Sequence, residues 1–221
     1  MQRSLVIGAS GAIGTALASA LEERGSEVVR LARSDDGLDL TDEASVARVL
    51  GALDGPFALI LVASGALEIG GAGPEKTIRA ISGTAMMDQF ALNAVGPALV
   101  LKHAQDLLPK EGRAVFAALS ARVGSIGDNR LGGWVSYRAA KAALNQIVHT
   151  AAIELKRTHP DAIAVSLHPG TVKSPLTEAY LGRHSAVTPE ESAENLLSVI
   201  DGLSHDDSGD FFDWAGKPIP W

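Results

Sequence analysis

Short apolar runs at residues 4–8, 27–31, 57–63, 114–119 and 162–168 punctuate the chain, and longer amphipathic stretches separate them. Most of the short runs are rich in Val, Ile, Leu or Phe and lack polar alternation. A strand of that kind is buried on both faces, as in a parallel sheet covered by helices. The stretches between them, 12–24, 42–50, 84–108, 134–158 and 189–201, read as helices. The segment Thr188-Pro189-Glu190-Glu191 is a helix start, with a capping Thr, Pro at the first position and acids in the first turn. A last short strand is expected at 210–214. This alternation predicts an α/β fold, a single Rossmann-type doubly wound parallel sheet with helices on both faces. With 221 residues, no internal repeat and no linker, residues 1–221 read as one domain.

Composition narrows the function. The net charge of −7 is spread along the chain, which argues against nucleic acid as a partner, because phosphate binding needs a basic footprint. There is no Cys, hence no disulfide, thiolate metal site or Cys nucleophile, and a reducing cytoplasm fits. The six His are scattered without ligand spacing, so no metal site is expected. The longest apolar run, around 56–67, is too short to span a bilayer. The first residues read directly as a strand rather than as a signal peptide. No membrane partner and a cytoplasmic location are the expectations.

The first strand runs into Gly8-Ala9-Ser10-Gly11-Ala12-Ile13-Gly14, and a helix follows. Glycines there let the backbone turn tightly and approach a pyrophosphate, and the helix N-terminus meets its charge. A P-loop is excluded, since no Gly-Lys-Ser/Thr follows. The second strand ends at Ala32-Arg33-Ser34, nineteen residues past Gly14. An acid there would bond a ribose 2′-hydroxyl; Arg33 instead offers a fork for a 2′-phosphate. The expected cofactor is NADP, with NAD as the alternative because Asp35 and Asp36 follow closely. Tyr137 and Lys141 lie four residues apart on a helix and so share one face. A phenol near pKa ~10 is a poor acid or base at neutral pH, and a neighbouring cation is expected to lower it.

Taken together, these motifs resemble the short-chain dehydrogenase/reductase superfamily over nearly the whole chain. Residues 8–14 match its glycine signature, with Ala12 where the middle Gly usually sits. Asp39-Leu40-Thr41 looks like the segment after the third strand whose Asp bonds the adenine. Val62-Ala63-Ser64-Gly65 takes the place of the Asn-Asn-Ala-Gly after the fourth. Asn93 matches the Asn of the catalytic tetrad, and Tyr137 and Lys141 its central pair. Pro169-Gly170-Thr171-Val172-Lys173-Ser174 resembles the loop that embraces the nicotinamide. Within the superfamily the chain is similar to the C-factor and sniffer-like carbonyl reductase group. The marks are Pro74-Glu75-Lys76, the run from Leu119-Ser120-Ala121 to Ser125-Ile126, Gly132-Gly133-Trp134 and Ile219-Pro220-Trp221.

One departure stands out. The family's catalytic Ser is the second of a Ser-Ser pair, and here the pair reads Ser120-Ala121. Ser120 is taken as the candidate, with Ser125 as the alternative in the loop that follows. The resemblance implies hydride transfer between NADP(H) and a small carbonyl or alcohol. Tyr137 would serve as acid and base, Lys141 would bind the nicotinamide ribose, Asn93 would hold a relay water and a Ser would bond the substrate oxygen. Residues 69–83 and the loop after Ser174 are expected to shape the pocket. The alternative function is an NAD(P)-binding signalling or sensing protein with little turnover. The resemblance also implies a homodimer or homotetramer paired through the 84–108 and 134–158 helices.

Overall fold

The computed structural model describes residues 2–174 and 186–221. Strand β1 (Arg3–Ile7) leads into α1 (Ala12–Glu23), followed by β2 (Glu27–Leu31) and a short α2 (Arg33–Asp36). Next come α3 (Glu43–Leu50), β3 (Leu59–Val62), α4 (Gly83–Phe90) and α5 (Gly96–Ala104). The order closes with β4 (Ala114–Leu119), α6 (Val135–Leu155), β5 (Ala162–His168), α7 (Pro189–Gly202) and β6 (Phe211–Asp213). The strands form one parallel sheet in the order β2-β1-β3-β4-β5-β6.

Period-two alternation decides which face each strand residue serves. On β4, Ala114, Phe116 and Ala118 join the core against α3, α5 and α6. Val115, Ala117 and Leu119 join a second core against α1 and α7. Both faces are therefore apolar, which is why the runs carry no polar alternation. The strand order reverses beside β1, which pairs β2 on one side and β3 on the other. In open α/β sheets ligands bind at the carboxyl ends of the strands at that switch point.

Two local readings change. The resemblance puts a strand ahead of Asp39, but α2 and a turn lie there instead. Arg33-Ser34-Asp35-Asp36 has no apolar side chain to bury, and Gly37, at φ 65°, ends the helix in the left-handed region. The sheet thus ends at β2. The helix read at 84–108 is broken: between α4 and α5 lies a π-helical turn, Ala91–Val95. Pro97 explains the break, because it has no N–H to give the Asn93 carbonyl four residues back. Among the described residues no helix is long and apolar enough to cross a membrane.

Candidate active site

Every sequence-predicted site segment lies at the carboxyl edge of the sheet or on a helix packed beside it. Residues 8–14 follow β1, Arg33 follows β2, Ala63, Ser64 and Gly65 follow β3, Ser120 follows β4, and Pro169, Gly170, Val172 and Ser174 follow β5. The 69–83 segment is described; of the loop after Ser174, residues 175–185 lie outside the described residues.

The glycine turn is a cradle that side chains would fill. Gly8 has φ 85°, and a Cβ there would come within 2.9 Å of the Ala63 and Ser64 backbone. A Cβ on Gly14 would come within 2.1 Å of the Gly8 carbonyl oxygen. Gly11 sits at the N-cap of α1 with no side-chain cap, and Ser10 and Gly11 are exposed. The first N–H groups of α1 are therefore open to an anion. The hydroxyl of Ser64, next to the turn, is buried with no partner among the described residues. Both features fit a bound dinucleotide.

Arg33 is exposed at the first position of α2. Asp39 spends one carboxylate oxygen on the Thr41 hydroxyl (2.7 Å) and N–H (2.8 Å). Those bonds, with a smaller contribution from Arg33, hold its carboxyl below the ordinary range. Leu40 is pressed against the start of α5, where a Cβ on Gly96 would come within 2.9 Å of its side chain.

Asn93, Lys141 and Tyr137 converge beside Gly65. A Cβ on Gly65, at φ 148°, would come within 2.8 Å of Asn93 Oδ1 and 3.3 Å of Lys141 Nζ. Fully buried Asn93 donates through Nδ2 to the Ala66 carbonyl (3.0 Å) and to Gln89 Oε1 (2.7 Å), and accepts from the Ala66 N–H (3.2 Å). Lys141 Nζ donates to the Leu119 carbonyl (2.8 Å) and lies 5.8 Å from the centre of the Tyr137 ring. A Cβ on Gly124 would come within 2.9 Å of the Lys141 backbone, so the turn after β4 lies directly on α6.

Burial dominates the electrostatics. It pushes the Tyr137 phenol up, out of the ordinary range, and the Lys141 ammonium down to about 7. The sequence expectation that Lys141 lowers the phenol is not met in this state. The ammonium points to the Leu119 carbonyl, and both groups lose water when α6 packs. His168, ahead of the Pro169 turn, is pushed down to about 4 by burial and by Arg122, against the opposing pull of Asp213. It is neutral at pH 7.

The two serines separate cleanly. The Ser120 hydroxyl is buried with no partner among the described residues. Ser125 is not in an open loop: it is 2% exposed, donates to the Pro220 carbonyl and accepts from the Asp128 N–H (3.1 Å). The Pro169 turn is also anchored, since its carbonyl accepts from Ser192 on α7 (3.1 Å). Gln89 was missed from sequence. It is buried, bonds the Leu67 carbonyl (2.9 Å) and holds Asn93 in place. Its spacing of four residues before Asn93 on a helix was the available signal.

An open helix N-terminus at the sheet's switch point, with a buried phenol and amine beside Gly65 on the next loop, is the layout of nicotinamide-dependent oxidoreductases. Known proteins agree. A family model described as enoyl-(acyl carrier protein) reductase matches residues 8–196. The chain is 30% identical to the 1-hydroxy-2-glutathionyl-2-methyl-3-butene dehydrogenase of Rhodococcus sp. (strain AD45), over all of both chains. It is 34% identical to the C-signal of Myxococcus xanthus over 62% of this chain and 78% of that one. The NADPH-bound carbonyl reductase from chicken fatty liver superposes with a TM-score of 0.83 at 25% identity, over 100% of this chain and 99% of that one. The chain belongs to the short-chain dehydrogenase/reductase family and is an NAD(P)-dependent oxidoreductase.

Proposed function

We propose that the protein transfers a hydride reversibly between NADP(H) and a small carbonyl or alcohol. The observation that carries this reading is the contact of Gly65, Asn93 and Lys141 beside Tyr137, one residue on from the Ser64 that meets the glycine cradle. The phosphate-bearing half of the cofactor would be held by Gly8, Ser10, Gly11, Ala12, Ile13 and Gly14. Its adenosine would meet Arg33, Asp39 and Leu40, and its nicotinamide half Ala63, Ser64, Gly65, Tyr137, Lys141, Pro169, Gly170, Val172 and Ser174. When bound, NADPH supplies the hydride.

The chain's own residues handle the proton. Burial keeps the Tyr137 phenol protonated at neutral pH, the form needed to give a proton to a substrate oxygen. Lys141, at about 7, changes charge readily in the working range and stands beside that phenol. The Asn93 side chain is occupied by Ala66 and Gln89, so it acts as a brace. The group left to hold a relay water is its backbone carbonyl, which Pro97 cannot bond in the usual helical way. Ser120 supplies the neutral donor to the substrate oxygen, since among the described residues its hydroxyl is unclaimed and that of Ser125 is not. The low-turnover sensing alternative rests on Ala121 alone and is not favoured beside an intact Asn93–Tyr137–Lys141 cluster.

The test is Tyr137→Phe, assayed by NADPH oxidation with a panel of small aldehydes and ketones. Turnover should fall at least ~10²-fold, the scale of general acid catalysis, with NADPH binding nearly unchanged. Reduction at the unmutated rate would refute the assignment.

A further inference from the structure

Helix α6 carries Tyr137 and Lys141, yet its own sequence does not cap it. The N-cap position is Trp134, held left-handed at φ 55°, with no side-chain cap bond and no acid in the first turn. A bulky residue with positive φ is uncommon and persists only where its surroundings hold it. The partner comes from 61 residues upstream. Glu75, 8% exposed, accepts the Ser136 N–H (3.2 Å) at one carboxylate oxygen and the Ser136 hydroxyl at the other. The Glu75 backbone carbonyl accepts the Trp134 N–H (2.5 Å).

We propose that Glu75 is a positioning residue for the reaction: it caps α6 from outside the helix and so fixes the placement of Tyr137 and Lys141. This rests on the roles given to Tyr137 and Lys141 above. Ser136 directly precedes Tyr137, so any shift of the first turn of α6 moves the phenol. The carboxylate also brings negative charge to the positive end of a 21-residue helix. Burial by itself would raise the Glu75 carboxyl. The bonds from the Ser136 side chain, from its own backbone N–H and from the Ser136 N–H outweigh burial and keep it ionised. Glu75, Gln89 and Tyr137 line one small cavity, whose other walls include Ile69, Ala72 and Pro74. The segment expected to shape the substrate pocket is therefore tied through Glu75 to the residue beside the proton donor.

The experiment compares Glu75→Ala, Glu75→Gln, Ser136→Ala and the Glu75→Ala/Ser136→Ala double variant. Carbonyl reduction kinetics, NADPH affinity by fluorescence and hydrogen exchange at the Ser136 amide are measured for each. Glu75→Ala should lower kcat about tenfold or more, as expected when a reacting group is misplaced by a fraction of an ångström. NADPH affinity should fall by less than kcat, since Lys141 is only one of many residues that hold the cofactor, and Glu75→Gln, which keeps an acceptor for the Ser136 N–H, should recover most of the rate. The double variant should be no slower than the slower single one, because both remove one clamp. A kcat within about twofold of wild type in Glu75→Ala, losses that multiply, or an equal loss of NADPH affinity would each overturn the proposal. Should Glu75→Ala not fold, Ser136→Ala decides: a loss of about threefold is expected, and an unchanged kcat overturns the role. Exchange at the Ser136 amide separates this proposal from the reaction assignment. If the unmutated protein reduces no carbonyl, the reaction is wrong, while unchanged exchange in Glu75→Ala refutes the clamp itself.

Discussion

We propose that Arg33 sets the choice of cofactor. Of the neighbouring acids, Asp36 accepts the Ala32 N–H (2.8 Å) and Asp39 is bonded to Thr41, while Asp35 is exposed. Asp36 and Asp39 therefore each already spend one carboxylate oxygen on their own turn. An exposed guanidinium at the first position of α2 suits a 2′-phosphate. NADPH should bind about tenfold more tightly than NADH, about 1.4 kcal/mol, and Arg33→Ala should remove most of that difference. Fluorescence titration of both cofactors measures it; tighter NADH binding by the unmutated protein would reverse the assignment. The choice between the two serines also turns on single atoms. Pro220 claims the Ser125 hydroxyl, and the Ser120 hydroxyl at the end of β4 has no partner among the described residues. A buried hydroxyl without a bond is unfavourable unless a ligand or water completes it.

At the scale of elements, α6 explains the pH behaviour to expect. Packing it on β4 and β5 buries Lys141, whose ammonium bonds the Leu119 carbonyl. The folded pKa is about 7, and an unfolded Lys lies near ~10.4. Between those values the unfolded chain binds more protons than the folded one. Stability of the cofactor-free protein should therefore rise with pH from about 7 to about 10 on account of this group. Lys141→Met should be more stable than wild type at pH 7, and the gap should narrow by pH 9.5. Thermal melts across that range test it; a constant gap would mean that Lys141 does not titrate there. The α4–α5 pair shows what periodicity alone cannot give. Its apolar spacing reads as one helix over 84–108, yet Pro97 forces the π turn that sets Asn93 against Ala66. A Pro inside a helical run is a legible signal for such a break.

For the whole molecule, the sheet order gathers the segments after five strands at one edge, and α4, the π turn after it and α6 keep exposed apolar residues. Met87, Val95 and Ile153 are 69%, 47% and 52% exposed. Of the small residues on α6, Ala140 and Ala152 serve the core, while Ala139, Ala142, Ala143 and Ala151 stay partly open and would let a partner helix approach closely. We propose that these helices pair across a two-fold axis, giving a homodimer or a homotetramer, because a C2 contact lets one patch serve both partners. Light scattering at micromolar concentration should give a multiple of 22.9 kDa; the mass of one chain would sink the proposal.

The sequence by itself determined the strands, their order and most of the helices between them. The strands buried on both faces, the Thr188-Pro189 helix start and the glycine turn between β1 and α1 are local patterns, and backbone sterics and burial act on them locally. Tyr137 and Lys141 were legible for the same reason, since a spacing of four on a helix is short-range geometry. Tertiary structure decided what depends on distant partners. The trans cap from Glu75 crosses 61 residues, the Pro220 bond that occupies Ser125 crosses 95, and the Gly65 approach to Asn93 and Lys141 joins a loop to two helices. Tertiary structure also set the protonation of the site. A pKa follows from how much water packing removes, and no spacing in the chain encodes that quantity until the helix lies on the sheet.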